Sequence, residues 1–175
     1  VLGLTQCEQP AAQYLGFHEQ NTAASAQTLA PIDRRLIDVG LLSDAERQWL
    51  DAYHARVLKE VGEFWEDRLK TTADGLLVAP NGWSPEHGPI QDGVAYDQQI
   101  LWDHFDNLAQ AAAVLGKRAE QARAEAIRDR LAGPRVGRWG QLLEWQQELD
   151  DPVLDTPKDT HRHVSHLYAL YPGRQ

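Results

Sequence analysis

Ser43-Asp-Ala-Glu-Arg-Gln-Trp-Leu-Asp-Ala-Tyr-His-Ala-Arg-Val-Leu-Lys-Glu-Val-Gly-Glu-Phe-Trp-Glu-Asp-Arg-Leu69 is the stretch that sets the fold class. Ser43 with Glu46 three residues on is a capping box, in which each side chain satisfies a backbone N–H that the first helical turn leaves unpaired. Trp49, Tyr53, Val57, Val61 and Trp65 then recur at every fourth position, with Leu50, Phe64 and Leu69 beside them. That spacing predicts a helix of about seven turns with one apolar stripe, and Arg47, Asp51, Arg56, Lys59, Glu63 and Glu66 on its wet face.

Working outward, residues 71–93 carry Gly, Pro, Asn and Asp at short intervals and read as loop, with Gly75-Leu-Leu-Val-Ala79 as at most one short strand. A second helix is predicted from about Asp97, with Leu101, Phe105, Leu108, Ala112 and Leu115 inward and a stop at Gly116. A third runs from Arg118 to Leu131, with Ala122, Ala126, Ile127 and Leu131 inward. Its Arg118, Glu120, Arg123, Glu125 and Arg128 alternate in sign, the pattern of a solvated face. A fourth helix is read over Trp139–Leu149 and a short one over Val164–Leu170. Residues 1–42 show little periodicity. The expected organisation is an irregular segment, 1–42, followed by an all-α domain, 43–175. A partial (α/α) barrel-like arrangement with long functional loops fits that order of helices and loops.

Composition narrows the partners. The chain has 175 residues and a net charge of -9. Without a basic run it offers no surface for nucleic acid or an anionic membrane, both of which need cationic side chains to displace counterions. No apolar stretch approaches the roughly 20 residues that span a bilayer, so the chain reads as soluble. It opens on Val1, and a signal peptide ahead of it would direct it to a secreted or periplasmic site. One cysteine, Cys7, cannot close an internal disulfide. Oligomeric state leaves no sequence signal.

The chemistry concentrates in loops. His161-Arg-His-Val-Ser-His-Leu-Tyr-Ala-Leu-Tyr-Pro-Gly-Arg-Gln175 brings three imidazoles, a guanidinium and two phenols into fifteen residues. Such a wall suits a polar, hydroxyl-rich ligand, because imidazole nitrogens both donate and accept while Trp and Tyr rings stack on the apolar face of a sugar. The same His161, His163 and His166 have a metal reading, with Asp159 as fourth ligand. Against it, 161 leaves the helical face shared by 163 and 166, and Arg162 adds a repelling charge. A polar helix end with satisfied histidines is the third reading. Glu86 lies between Pro85 and His87, near Trp83, Tyr96 and Asp97. A carboxyl among aromatic groups suits a general acid, although a lone loop Glu is most often solvated surface. Gln141, Glu144 and Trp145 fall at i, i+3 and i+4, so on the fourth helix they share a face that points to ligand or to solvent. Asp97 and Asp103 meet the positive end of the second helix. Trp49, Trp65 and Trp102 read as core.

Ser84-Pro85-Glu86, Gly137-Arg-Trp-Gly-Gln-Leu-Leu-Glu-Trp145 and the His161–Gln175 stretch occur in the order in which they resemble the catalytic (α/α) barrel of glycoside hydrolase family 95 α-L-fucosidases, over about 58–175. The resemblance implies an inverting hydrolase of fucosylated glycans, with Glu86 as general acid, no cofactor and no metal. It also implies sugar contacts from His161, Arg162, His163, His166, Trp83 and Trp139. The family's base resembles a pair of asparagines, activated by an aspartate, in a segment upstream of the first helix; Asn21, Asn81 and Asn107 stand in other contexts. The implied object is a fragment of such an enzyme, inactive alone, or else a non-catalytic helical module binding carbohydrate or protein. A second likeness covers about 14–60, where Tyr14-Leu-Gly-Phe17, Leu29-Ala-Pro-Ile-Asp-Arg-Arg-Leu-Ile37 and Leu42–Val57 look like the C-terminal tail of Xaa-Pro aminopeptidases. It implies a remnant of a two-metal enzyme whose ligands lie upstream of such a tail.

Overall fold

A computed structural model describes residues 37–175. The expected irregular segment 1–42 lies almost wholly outside the described residues, as do Cys7, Asn21 and about half of the aminopeptidase-like stretch. The chain divides into two compact units, Val1–Val61 and Gly62–Gln175. It is mostly helical: α1 spans Asp44–Arg68, α2 Ala95–Val114 and α3 Arg118–Arg128, with single 3-10 turns at Val39–Leu41 and Ser165–Leu167. No helix among the described residues is long and apolar enough to cross a membrane.

The start of α1 is the capping box that its sequence specifies. Ser43 donates from its backbone N and its Oγ to Glu46 Oε2, at 2.8 and 2.7 Å, and the Glu46 N–H returns a bond to Ser43 Oγ at 3.3 Å. Within the first unit Leu50 and Val57 are buried, and Trp49 and Tyr53 stack with centroids 5.2 Å apart. In the second unit Trp65 and Leu69 pack on the core, while Phe64 stays outside it, covered by the Arg68 guanidinium 4.4 Å from the ring centroid.

The core of the second unit joins Leu77 and Ala79 to Leu101, Phe105 and Ala109 of α2 and Ala124 and Leu131 from α3 and its exit, with Trp102, Leu108 and Ile127 at its edge. The inward face of α3 is therefore the 124, 127 and 131 line. Ala122 and Ala126, expected inward, are exposed, because an alanine-rich helix carries small residues on more than one face and only packing chooses between them. The alternating charges are likewise not all solvated: Arg123 pairs with Glu66 and Arg128 with Asp106. Leu115, expected inward, is exposed at the end of α2, where Gly116 takes φ +69 and stops the helix.

Two short antiparallel hairpins occupy the loop read between α1 and α2. Strand β1 (Lys70–Thr71) pairs with β2 (Leu77–Val78), and β3 (Gly82–Trp83) pairs with β4 (Ile90–Gln91). The predicted strand in 75–79 is β2. Consecutive buried glutamines on α2 hold three separate segments. Gln98 accepts from Ala79 N at 2.8 Å and donates to Leu77 O and Ala132 O at 3.0 and 3.2 Å. Gln99 donates to His166 O at 2.7 Å and accepts from Ala169 N at 2.8 Å.

The fourth predicted helix does not form. Residues 139–149 are turns and bends: Val136 and Leu142 make an antiparallel bridge, Gly137 N donates to Gln141 O at 2.8 Å, and Gly140 adopts φ +93. Two glycines and a turn at 137–140 outweigh the helical spacing of the next few side chains, which is too short to nucleate a helix of its own. The Val164–Leu170 prediction reduces to the 3-10 turn Ser165–Leu167 and the turns after it.

Candidate active site

The loop of the β3–β4 hairpin, residues 84–89, carries Ser84, Glu86 and His87 toward the two segments that follow α3. Its turn is closed by His87 N donating to Ser84 O at 2.9 Å. Gly88 takes φ +73, and a Cβ there would overlap the Trp145 indole, so glycine allows the hairpin loop to lie flat on that ring. Trp145, almost fully buried, donates its indole N–H to Pro89 O at 3.2 Å.

Glu144 is the centre of this arrangement. It is only 5 % exposed, and its backbone carbonyl accepts from Ala95 N, the first residue of α2, at 3.0 Å. Its Oε1 accepts from Ser84 Oγ, which is fully buried, and from His87 Nε2 at 3.0 Å. Ser165 Oγ lies 3.1 Å from Ser84 Oγ. Each hydroxyl has one proton. With the Ser84 proton given to the carboxylate, Ser165 must be the donor between the two serines. On the other carboxylate oxygen, Oε2, His166 Nδ1 approaches to 3.7 Å. All three sequence motifs thus converge on one carboxylate.

Glu86 stands at the rim. Its side chain is 56 % exposed and pairs through Oε2 with the Arg162 guanidinium, with His163 Nε2 at 3.7 Å. His161 stacks on His87, centroids 3.7 Å apart and planes 10° apart, and meets His163 edge-on at 5.2 Å. Its Nε2 lies 3.1 Å from Pro85 O and 3.3 Å from Glu86 N. These are alternatives: a protonated Nε2 donates to the carbonyl, a bare one accepts the amide. Both bond His161 to the 85–86 segment.

Of the predicted site residues, Glu86, His161, Arg162 and His163 come into direct contact, and His166 joins the same cluster beside Glu144. Trp83 and Trp139, both 49 % exposed, make local indole bonds, to Gly88 O at 3.1 Å and Asp155 O at 3.0 Å. Asp159 braces its own loop, accepting from His161 N at 2.9 Å and Asp155 N at 3.3 Å. Among the described residues no three His, Cys, Asp or Glu side chains are arranged to hold a metal ion. Glu144, His87 and Ser84 were not among the residues assigned from sequence. The Gln141, Glu144, Trp145 spacing drew attention to Glu144 on a helix that does not exist, and Ser84 and His87 flank Glu86 without any spacing signal of their own.

Three aspartates nearby are held above the usual carboxylate range. Burial does this to Asp97. Burial also leads for Asp103, opposed by Arg174, and for Asp155, where the Gln141 bond opposes it and Glu144 adds to it. Of the described asparagines, Asn107 accepts from Arg174 at 2.6 Å and Asn81 is exposed.

The chain is 34 % identical over 128 residues to probable alpha-fucosidase A of Aspergillus niger, covering 67 % of this chain and 15 % of the fungal protein. It is 30 % identical over 139 residues to alpha-L-fucosidase 2 of Arabidopsis thaliana, covering 73 % and 16 %. A shorter likeness, 54 % over 44 residues, joins it to Xaa-Pro aminopeptidase app-1 of Caenorhabditis elegans, covering 25 % of the chain and 7 % of that protein. The chain therefore spans about one sixth of the length of the fucosidases it matches. Residues 43–175 match the glycosyl hydrolase family 95 catalytic domain, and the chain belongs to that family.

Proposed function

We propose that this chain forms one wall of the glycan site of an α-L-fucosidase-like hydrolase acting on fucosylated oligosaccharides with inversion. Its helices would be part of an (α/α) barrel. The observation that carries the reading is the convergence of all three motifs on the Glu86 and Glu144 cluster, where imidazoles and a guanidinium surround two carboxylates. Glu86 is the general acid on the match of Ser84-Pro85-Glu86, with His161, Arg162, His163, His166, Trp83 and Trp139 as sugar contacts.

A second reading gives the acid to Glu144, leaving Glu86 and Arg162 to bind sugar hydroxyls. Position favours it: Glu144 lies where the three motifs meet, while Glu86 is more than half exposed and engaged by a guanidinium. In either case an inverting enzyme needs a water held opposite its acid, with the two catalytic groups roughly 6.5–9.5 Å apart, and the asparagine pair implied for that water has no counterpart beside this cluster among the described residues. Loss of a general base typically costs about 10²–10⁴ in rate. The chain alone is therefore a glycan binder with at most residual turnover.

Isothermal titration with an α-1,2-fucosylated oligosaccharide tests the binding, which Arg162→Ala should weaken; no heat of binding at millimolar sugar would refute the reading. Residual hydrolysis separates the carboxylates. An activated aryl α-L-fucoside needs little protonation of its leaving group, so Gln in place of the acid should cost far less rate there than on the oligosaccharide. A binding carboxylate costs both alike.

A further inference from the structure

The geometry points to a two-point seat for a single ligand hydroxyl between Glu144 Oε2 and His166 Nδ1, an inference that rests on the glycan reading above. The two atoms are 3.7 Å apart, beyond hydrogen-bond range of each other. His166 Nδ1 is buried with no hydrogen-bond partner among the described residues. Glu144 spends its other oxygen, Oε1, on Ser84 and His87, which fixes the plane of the carboxylate and leaves Oε2 facing the imidazole.

Both halves of the seat hang from one face of α2. Ala95 N bonds the Glu144 carbonyl and Gln99 Nε2 bonds the His166 carbonyl, and positions 95 and 99 are one turn apart on the same side of a helix. The spacing between the carboxylate and the imidazole is therefore set by a rigid element, as a selective site requires. A buried polar atom left without a partner costs free energy, and a ligand atom that satisfies His166 Nδ1 recovers it.

The chemistry of the two atoms selects the ligand. An anion is repelled by the carboxylate. In the tautomer that protonates Nδ1, an ammonium gives protons but accepts none from the imidazole N–H. An alcohol oxygen does both, donating its proton to Oε2 and accepting one from Nδ1–H. The ligand class is a sugar hydroxyl, and its seat is distinct from the Glu86–Arg162 pair at the rim.

The test uses the whole chain, labelled with ¹⁵N-histidine, and methyl α-L-fucopyranoside as probe. Titration should move the His166 imidazole resonances, and a crystal of the same complex should place a sugar oxygen within hydrogen-bond distance of both atoms. Glu144→Gln should weaken the glycoside roughly 10–100-fold, the weight of one charge-assisted bond. His166→Phe should abolish the double contact while keeping a ring. If either variant fails to fold, the wild-type titration and crystal decide. Acetate at the same concentration should leave His166 unmoved, and an acetate-induced shift equal to that of the glycoside would overturn the hydroxyl assignment. Shifts at His163 without any at His166 would remove the seat and keep the glycan reading. No shift at His87, His161, His163 or His166 would remove both.

Discussion

Replacing Gln98 with Leu tests how the second unit is held together. The amide is buried on α2 and ties three backbone groups from two segments. The three bonds do not weigh equally. Leu77 O also accepts from Ala132 N at 2.9 Å, so it stays satisfied without Gln98. Ala79 N and Ala132 O lose the partner Gln98 supplies, and both residues are buried. A buried backbone group left without a partner costs about 1–3 kcal/mol, about 2–6 kcal/mol for two. A leucine in the same volume recovers up to about 2 kcal/mol through the hydrophobic effect. Taken from the middle of that cost, about 4 kcal/mol, the expected net loss is about 2–4 kcal/mol, read from urea unfolding followed by tryptophan fluorescence. Gln110→Leu is the control: its partner Asp106 keeps Arg128 and Arg174, so the change should stay within about 0.5 kcal/mol. A Gln98→Leu loss below about 1 kcal/mol, or one no larger than the control, would show that the two segments are held by packing rather than by the amide.

Other outcomes follow from the same structure. Gly88→Ala should cost about 2–4 kcal/mol in thermal unfolding, because a left-handed φ strains any side chain by about 1–2 kcal/mol and the new methyl meets the Trp145 indole; an unchanged midpoint would place that ring elsewhere. On α1, Val57→Asp should destabilise by about 3–5 kcal/mol and clearly more than Val61→Asp, since Val57 is buried and Val61 only half so; equal losses would contradict the orientation of the helix. Asp97 is held above its ordinary range by burial, so the folded state binds its proton more tightly than the unfolded one. Its contribution is present while it is protonated and fades as pH rises from about 3.9, the unfolded value, through its raised folded value. Asp97→Asn should flatten the fall in stability as pH rises above about 4, and parallel pH curves for variant and parent would refute the assignment. Finally, the purified chain should release no L-fucose from an α-1,2-fucosylated oligosaccharide above background; robust release abolished by Glu86→Gln would show that a base is present after all.

The helical class, the start of α1 at its capping box, the α2 stop at Gly116 and the likeness to family 95 were all legible in the residues, because each depends on local spacing or on a motif that needs no neighbours. The grouping of Glu86 with His161, Arg162 and His163 also followed from motif order. What sequence could not decide was which face of an amphipathic or alanine-rich element turns inward, as at Ala122 and Ala126 of α3, since several faces satisfy the same periodicity. Nor could it decide the state of 137–149, where helical spacing competed with two glycines and the turn prevailed. The assignment of Glu144 to the centre of the site belongs to the tertiary structure alone. Its partners Ser84, His87 and His166 come from loops 60 residues before it and 22 after; α2 holds the Glu144 and His166 segments through Ala95 and Gln99, and Trp145 holds the 84–89 loop against them. Side chains far apart in sequence acquire a joint chemistry when a buried backbone hydrogen bond fixes each segment in place, and that bond carries no signature in the order of residues.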